Sequence, residues 1–76
     1  MNNLRRKMLD MVKAELETQK NELDSILSEE QECFDNLPEG LQVSERGEKM
    51  EEAISNMESA ISSIEDAIDC IDSAMD

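Results

Sequence analysis

Cys70 and the carboxylates around it carry most of the reactive chemistry in this chain of 76 residues. A cysteine attacks as its thiolate, which nearby positive charge favours and nearby negative charge opposes. Asp66, Asp69 and Asp72 stand close to Cys70 in sequence, so this thiol reads as an ordinary surface cysteine. No histidine, tryptophan or tyrosine is present. Their absence removes the His-assisted nucleophile, the His-based metal cluster and the aromatic platform for stacking bases. Carboxylates alone can move protons, but nothing else in the chain builds a pocket around a pair of them. The expectation is a protein that is not an enzyme, with no catalytic residue, cofactor or metal.

Without a pocket, carboxylates recognise positive charge. The net charge is −13, and it is unevenly laid. Residues 1–20 hold five bases (Arg5, Arg6, Lys7, Lys13, Lys20) against three acids, and residues 21–49 hold nine acids against two bases. Residues 50–76 hold eight acids and no base. Anionic membranes and bare nucleic acid are repelled by such a chain, whereas basic protein surfaces are attracted. Duplex DNA bears one negative charge about every 1.7 Å. Eight acids spread over 27 residues of helix amount to one per ~5 Å, so a single copy is a dilute mimic of the phosphate backbone and two copies are a denser one. On this flank the candidate partner-binding residues are Glu51, Glu52, Glu58, Glu65, Asp66 and Asp69.

The element that holds these acids is written in sevens: MEEAISN, MESAISS, IEDAIDC, IDSAMD. Apolar residues at 50, 54, 57, 61, 64, 68, 71 and 75 step alternately by four and three, the rhythm of a helix with one face held against a partner. Taking Met50 as heptad position d puts isoleucines at a and methionine or isoleucine at d. The alanines at 53, 60, 67 and 74 then fall at g, and an acid opens every e position. In the first half, Leu9, Val12, Leu16, Gln19, Leu23, Ile26, Glu30, Cys33 and Leu37 also step by three and four, flanked by Leu4, Met8, Leu27 and Phe34. Gln19 and Glu30 are polar seam residues of the kind that specify register or oligomer order.

These patterns predict a single domain with a helix over about 3–35, a connector over about 36–44 and a helix over about 45–75. Pro38 ends the first helix, since it has no amide hydrogen and restricts Leu37. Pro-Glu-Gly signals a turn in which Gly40 can take a positive φ. Ser44 is placed to cap the second helix, although Gly47 stands where a capping box would have glutamate. Leu37, Leu41 and Val43 are expected to plug the end of the fold. Two helices of nearly equal length joined by a short connection pack antiparallel. Folding about residue 40 sets Leu23 opposite Met57, Leu16 opposite Ile64, Val12 opposite Ile68 and Leu4 opposite Met75. It brings Arg5, Arg6 and Lys7 beside Asp69, Asp72 and Asp76, and it separates Cys33 from Cys70, so no disulfide links them.

An apolar stripe three columns wide is more than one helix covers. The expected fold class is therefore all-α: an antiparallel two-helix hairpin with heptad packing that dimerises into a four-helix bundle. Self-association is assigned to Ala53, Ile54, Met57, Ala60, Ile61, Ile64, Ala67, Ile68 and Ile71. Met8, Met50, Met57 and Met75 are assigned to the core or its edge, and Met11 to the surface. The connector is longer than a reversal of direction needs. This makes Asn36, Glu39, Gln42, Glu45 and Arg46 a second candidate surface for a partner.

The stretch DNLPEGLQVSERGEKMEE, behind NNLRRKMLD and ahead of the heptad tail, resembles small acidic helical-hairpin proteins encoded by phages and prophages of low-GC bacteria. The resemblance spans most of the chain and is sharpest over residues 35–52. Those proteins carry no assigned activity, so what it implies is a setting: an accessory protein in the cytoplasm of an infected or lysogenic cell. In that setting the chain is expected to bind a basic host protein without enzymatic action, as a counter-defence or host-takeover inhibitor of DNA-mimic type. The alternative is a self-assembling scaffold or virion accessory with no host partner. A reducing cytosol also suits a chain with no cysteine framework and no apolar run after its basic N-terminus. No apolar stretch approaches the roughly 20 residues that span a bilayer.

Overall fold

The computed structural model describes all 76 residues and arranges them as α1 (Asn3–Asp35), α2 (Glu39–Gln42) and α3 (Glu45–Met75). The two long helices pack against each other in an all-helical, antiparallel hairpin. Each long helix begins at a side-chain cap, as free first-turn amides require. Asn2 accepts from the Arg5 amide at 2.8 Å, and Ser44 accepts from the Gly47 amide at 3.5 Å. At the other end of α1 the Asn36 amide donates to the Glu32 carbonyl at 3.0 Å, and Pro38 prevents further propagation.

The connector is not the tight turn that Pro-Glu-Gly suggests, because no glycine has a positive φ. Instead the Leu41 and Gln42 amides donate to the Pro38 carbonyl at 2.8 and 3.1 Å, closing the single helical turn of α2. Gln42 Nε2 donates to the Phe34 carbonyl at 3.1 Å, and the Ser44 hydroxyl donates to the Leu41 carbonyl, so the turn is tied at both ends. This arrangement explains the incomplete cap. Gly47 is buried, and a Cβ there would lie 2.6 Å from the Leu41 carbonyl oxygen and closer still to that of Gln42. Backbone of the tip occupies the space a capping-box side chain would need. Of Leu37, Leu41 and Val43, expected to plug the end, only Leu37 is half-buried; Leu41 is 43% exposed and Val43 78%, because α2 is closed by its own backbone bonds and leaves them outside.

The hairpin is a slab of 58 × 15 × 12 Å with a radius of gyration of 17.2 Å, against about 11 Å for a compact domain of this length. A slab one helix pair thick has almost no interior. Ile54, Ile61 and Ile68, one per heptad, are the only buried side chains. Facing them on α1, the half-buried row is Leu9, Leu16, Leu23, Glu30 and, beyond the helix end, Leu37.

The second inward column of α1 differs from the sequence expectation. Val12, Gln19, Ile26 and Cys33 are exposed, while Arg6, Lys13, Lys20, Leu27 and Phe34 turn toward α3. Leu27 and Phe34 bring apolar area toward the tip, and charge accounts for the rest. Lys13 Nζ lies 2.7 Å from Asp72 and Lys20 Nζ 3.3 Å from Glu65; their alkyl stems can lie along the seam while the ammonium groups reach the acids. Both pairs centre the hairpin between Gln42 and Val43 rather than at residue 40. Leu4, set against Met75 by the earlier register, is accordingly 68% exposed, and Val12, set against Ile68, is 44% exposed. Met8 is also exposed rather than at the edge of the core.

The Lys13–Asp72 hydrogen bond holds the Lys13 ammonium above its ordinary pKa of 10.5, opposed by desolvation and aided by the charges of Asp72, Glu17 and Asp10. A lysine whose folded pKa is raised contributes stability in full below its ordinary value and loses it as pH rises through the folded value. Urea unfolding of wild type and Lys13→Met from pH 8 to 12 is therefore expected to show a wild-type advantage that is constant to about pH 10 and falls above 10.5. An advantage that persists unchanged at pH 12 would contradict the pairing.

Candidate interaction surface

The hairpin has two unlike long sides, and the ion pairs define them. Lys13 and Lys20 flank the α1 leucine row on one side, and Glu65 and Asp72 flank the α3 isoleucine row on one side. Because these residues meet, the two flanks lie on the same side of the hairpin. The opposite flanks must then share the other side.

The ion-paired side is acidic. On α1 it carries Asp10, Glu17 and Asp24, and on α3 Glu51, Glu58, Glu65 and Asp72 at heptad intervals, with Asp69 one column further round. Seven residues of helix span about 10.5 Å, so the e-position acids form an evenly spaced line. Of the candidate residues on this flank, Glu51, Glu52, Glu58, Asp66 and Asp69 are exposed and make no ion pair, whereas Glu65 is engaged with Lys20. Glu52 and Asp66 lie furthest from α1. An open groove of about 360 Å³ runs between Glu17, Lys20, Asn21, Glu65, Ile68 and Asp69. Five of its six lining residues are polar or charged, so it suits a charged side chain better than an apolar ligand.

At the tip the five candidate residues are not gathered into one site. Asn36, Glu39, Glu45 and Arg46 are exposed, but Gln42 is half-buried and engaged with the Phe34 carbonyl. Glu45 lies 3.5 Å from Lys49 on the same helix face, a pairing in water that contributes little. A second open groove of about 500 Å³ adjoins the tip, lined by Glu30, Glu45, Arg46, Lys49, Met50 and Ala53. The sequence marks Glu30 only as a polar seam residue and does not mark Lys49, because the two come together only once α1 and α3 are docked.

The other long side is apolar. From α1 it presents Val12 and Ile26, the latter 54% exposed, with Cys33 exposed near the tip. From α3 it presents the half-buried Met50, Met57, Ile64 and Ile71 and, beyond them, the alanine column, of which Ala67 alone is half-buried. The residues assigned to self-association therefore divide. Ile54, Ile61 and Ile68 are already covered by α1, while Met57, Ile64, Ile71, Ala53, Ala60 and Ala67 remain along the open edge.

Comparison with family models, curated proteins and solved structures gives no match. The functional reading rests on the surface itself. No group of three or more Cys, Asp or Glu is placed to hold a metal ion, and no helix is long and apolar enough to cross a membrane. Both thiols are free and exposed. What the geometry offers is a partial segregation: the e-position acids of α3 with Asp10, Glu17 and Asp24 on one long side, an apolar strip of α3 bordered by Glu15, Glu22 and Glu29 of α1 on the other, and a braced tip between them.

Proposed function

We propose that this chain is a non-enzymatic interaction protein that works as a dimeric four-helix bundle and turns its acidic side toward a basic protein. The observation that carries this reading is the segregation of charge. Glu51, Glu58 and Asp69 stand along one exposed side of the hairpin, which also carries Asp10 and Glu17 of α1, while the residues that self-association would cover lie on the other. A partner with a basic groove meets the carboxylates that make no ion pair, Glu51, Glu58 and Asp69 of α3 with Asp10 and Glu17 of α1, and dimerisation brings the charge density nearer that of a phosphate backbone. In the setting implied by the resemblance to phage-encoded hairpin proteins, the partner is a basic host protein that handles nucleic acid or acts in defence, and the action is inhibition.

The alternative, a scaffold whose sole partner is itself, draws on the same apolar side. One experiment separates the two readings. The chain is immobilised, exposed to bacterial lysate and washed across a salt series, with and without competing duplex DNA, beside the variant Glu58→Gln/Asp66→Asn/Asp69→Asn. A basic protein retained at low salt, released as salt rises, displaced by DNA and lost with the variant is the expected result, because contacts between exposed charges are screened beyond a Debye length of about 8–10 Å. Salt-insensitive retention would exclude phosphate mimicry. Recovery of the chain alone would favour the scaffold.

A further inference from the structure

We infer that the apolar side is the seat of a second copy of this chain, with α1 of each hairpin laid over α3 of the other and the two tips at the same end. The inference rests on the dimeric reading above and names the surface it uses.

Charge limits where two copies can touch. Each carries a net charge of −13, so contact between most parts of their surfaces is opposed by like-charge repulsion. From Lys49 onward, three adjacent columns of α3 contain no acid. They are the d column of Met50, Met57, Ile64 and Ile71, the alanine column, and the column of Lys49, Asn56, Ser63 and Cys70. Every acid of α3 in that span lies outside this sector, which is partly apolar and uncharged but for Lys49 at the tip end. Such a surface offers a basic partner nothing and is where a second acidic chain can dock without repulsion. On α1 the same side is bordered by Glu15, Glu22 and Glu29. Placing α1 over its own copy would set these glutamates against each other. Placing it over the partner's α3 runs them along alanine, asparagine and serine, so like-charge avoidance selects that arrangement.

Area agrees independently. A folded monomer of 8.6 kDa is expected to expose about 4,700 Å². The hairpin exposes 5564 Å², an excess of roughly 900 Å², close to the ~800 Å² that each partner contributes to a standard interface.

Two single-cysteine variants in a Cys33→Ser/Cys70→Ser background test the assignment. Ala60→Cys lies in the acid-free sector, and Ser62→Cys lies on the acidic side of the same turn. At a concentration where the chain sediments as two copies, maleimide is expected to label position 62 freely and position 60 about tenfold more slowly or less, with protection lost on dilution to single chains. Ala60→Glu is expected to shift the mass to that of one chain, whereas Ser62→Glu leaves it at two. Equal labelling of both positions in a protein that sediments as two copies would overturn the face while leaving the dimer standing. The mass of one chain at every concentration would overturn the dimer itself.

Discussion

Replacing Ile61 by alanine is expected to destabilise the protein by about 2–5 kcal/mol, the range for truncating a buried aliphatic side chain. Ile61 is the middle of the three buried isoleucines and is 9% exposed. The surrounding slab cannot absorb its loss from elsewhere, because every other apolar side chain is at least partly in water. Since small domains hold about 5–15 kcal/mol in total, the variant is expected to lose a large share of its stability. Ser62→Ala, next to it and exposed, should change stability by less than about 0.5 kcal/mol. Urea titrations followed by far-UV circular dichroism compare the two. If Ile61→Ala unfolded at the same midpoint as Ser62→Ala, the isoleucine row would not be the core.

Gly47→Ala is expected to destabilise by about 1–3 kcal/mol, as overpacking does, although alanine in a helix is ordinarily favoured over glycine by about 1 kcal/mol. The reversal comes from what the new methyl would meet. The carbonyl oxygens of Leu41 and Gln42 lie far inside van der Waals contact of the Cβ position, and both belong to main chain already held by hydrogen bonds to Pro38 and Ser44. Relief requires lifting α2, which breaks the Gln42–Phe34 bond and releases the tip. Gly40→Ala provides the opposite sign. A Cβ there has nothing within 4 Å and the backbone has no positive φ, so this variant should gain about 0.4–1 kcal/mol by restricting the unfolded chain. Thermal unfolding of the pair checks both signs at once, and a gain from both variants would mean that the tip does not press on Gly47.

The helical hairpin is legible in the sequence because its evidence is periodic. Ile54, Ile61 and Ile68 recur every seven residues, and a helix brings such residues to one face. The α1 seam was harder. Two columns flank its leucines, one with Val12, Ile26 and Cys33, the other with Lys13 and Lys20 as well as Leu27 and Phe34. Hydrophobicity does not separate them, and the ion pairs to Asp72 and Glu65 go with the second. A pattern confined to one helix cannot express that preference, because it arises between helices. The same limit applies at the tip. A single turn such as α2 is too short to have a period, and Gly47 owes its place to a close approach of backbone distant by several residues. For the candidate surface, the acidic columns were visible in the heptads. That they share one side of the hairpin with Asp10 and Glu17, opposite an apolar side that includes Val12 and Ile26, required the register.

The proposed arrangement joins apolar faces between two copies and turns acidic faces outward toward a basic partner. Sedimentation equilibrium of the unmodified chain across a wide concentration range tests it most directly. The expected result is a helical species of twice the 8.6 kDa chain mass that dissociates on dilution with loss of helicity, because three buried isoleucines give a single hairpin little to stand on. A species of one chain mass that stays fully helical at every concentration would contradict it.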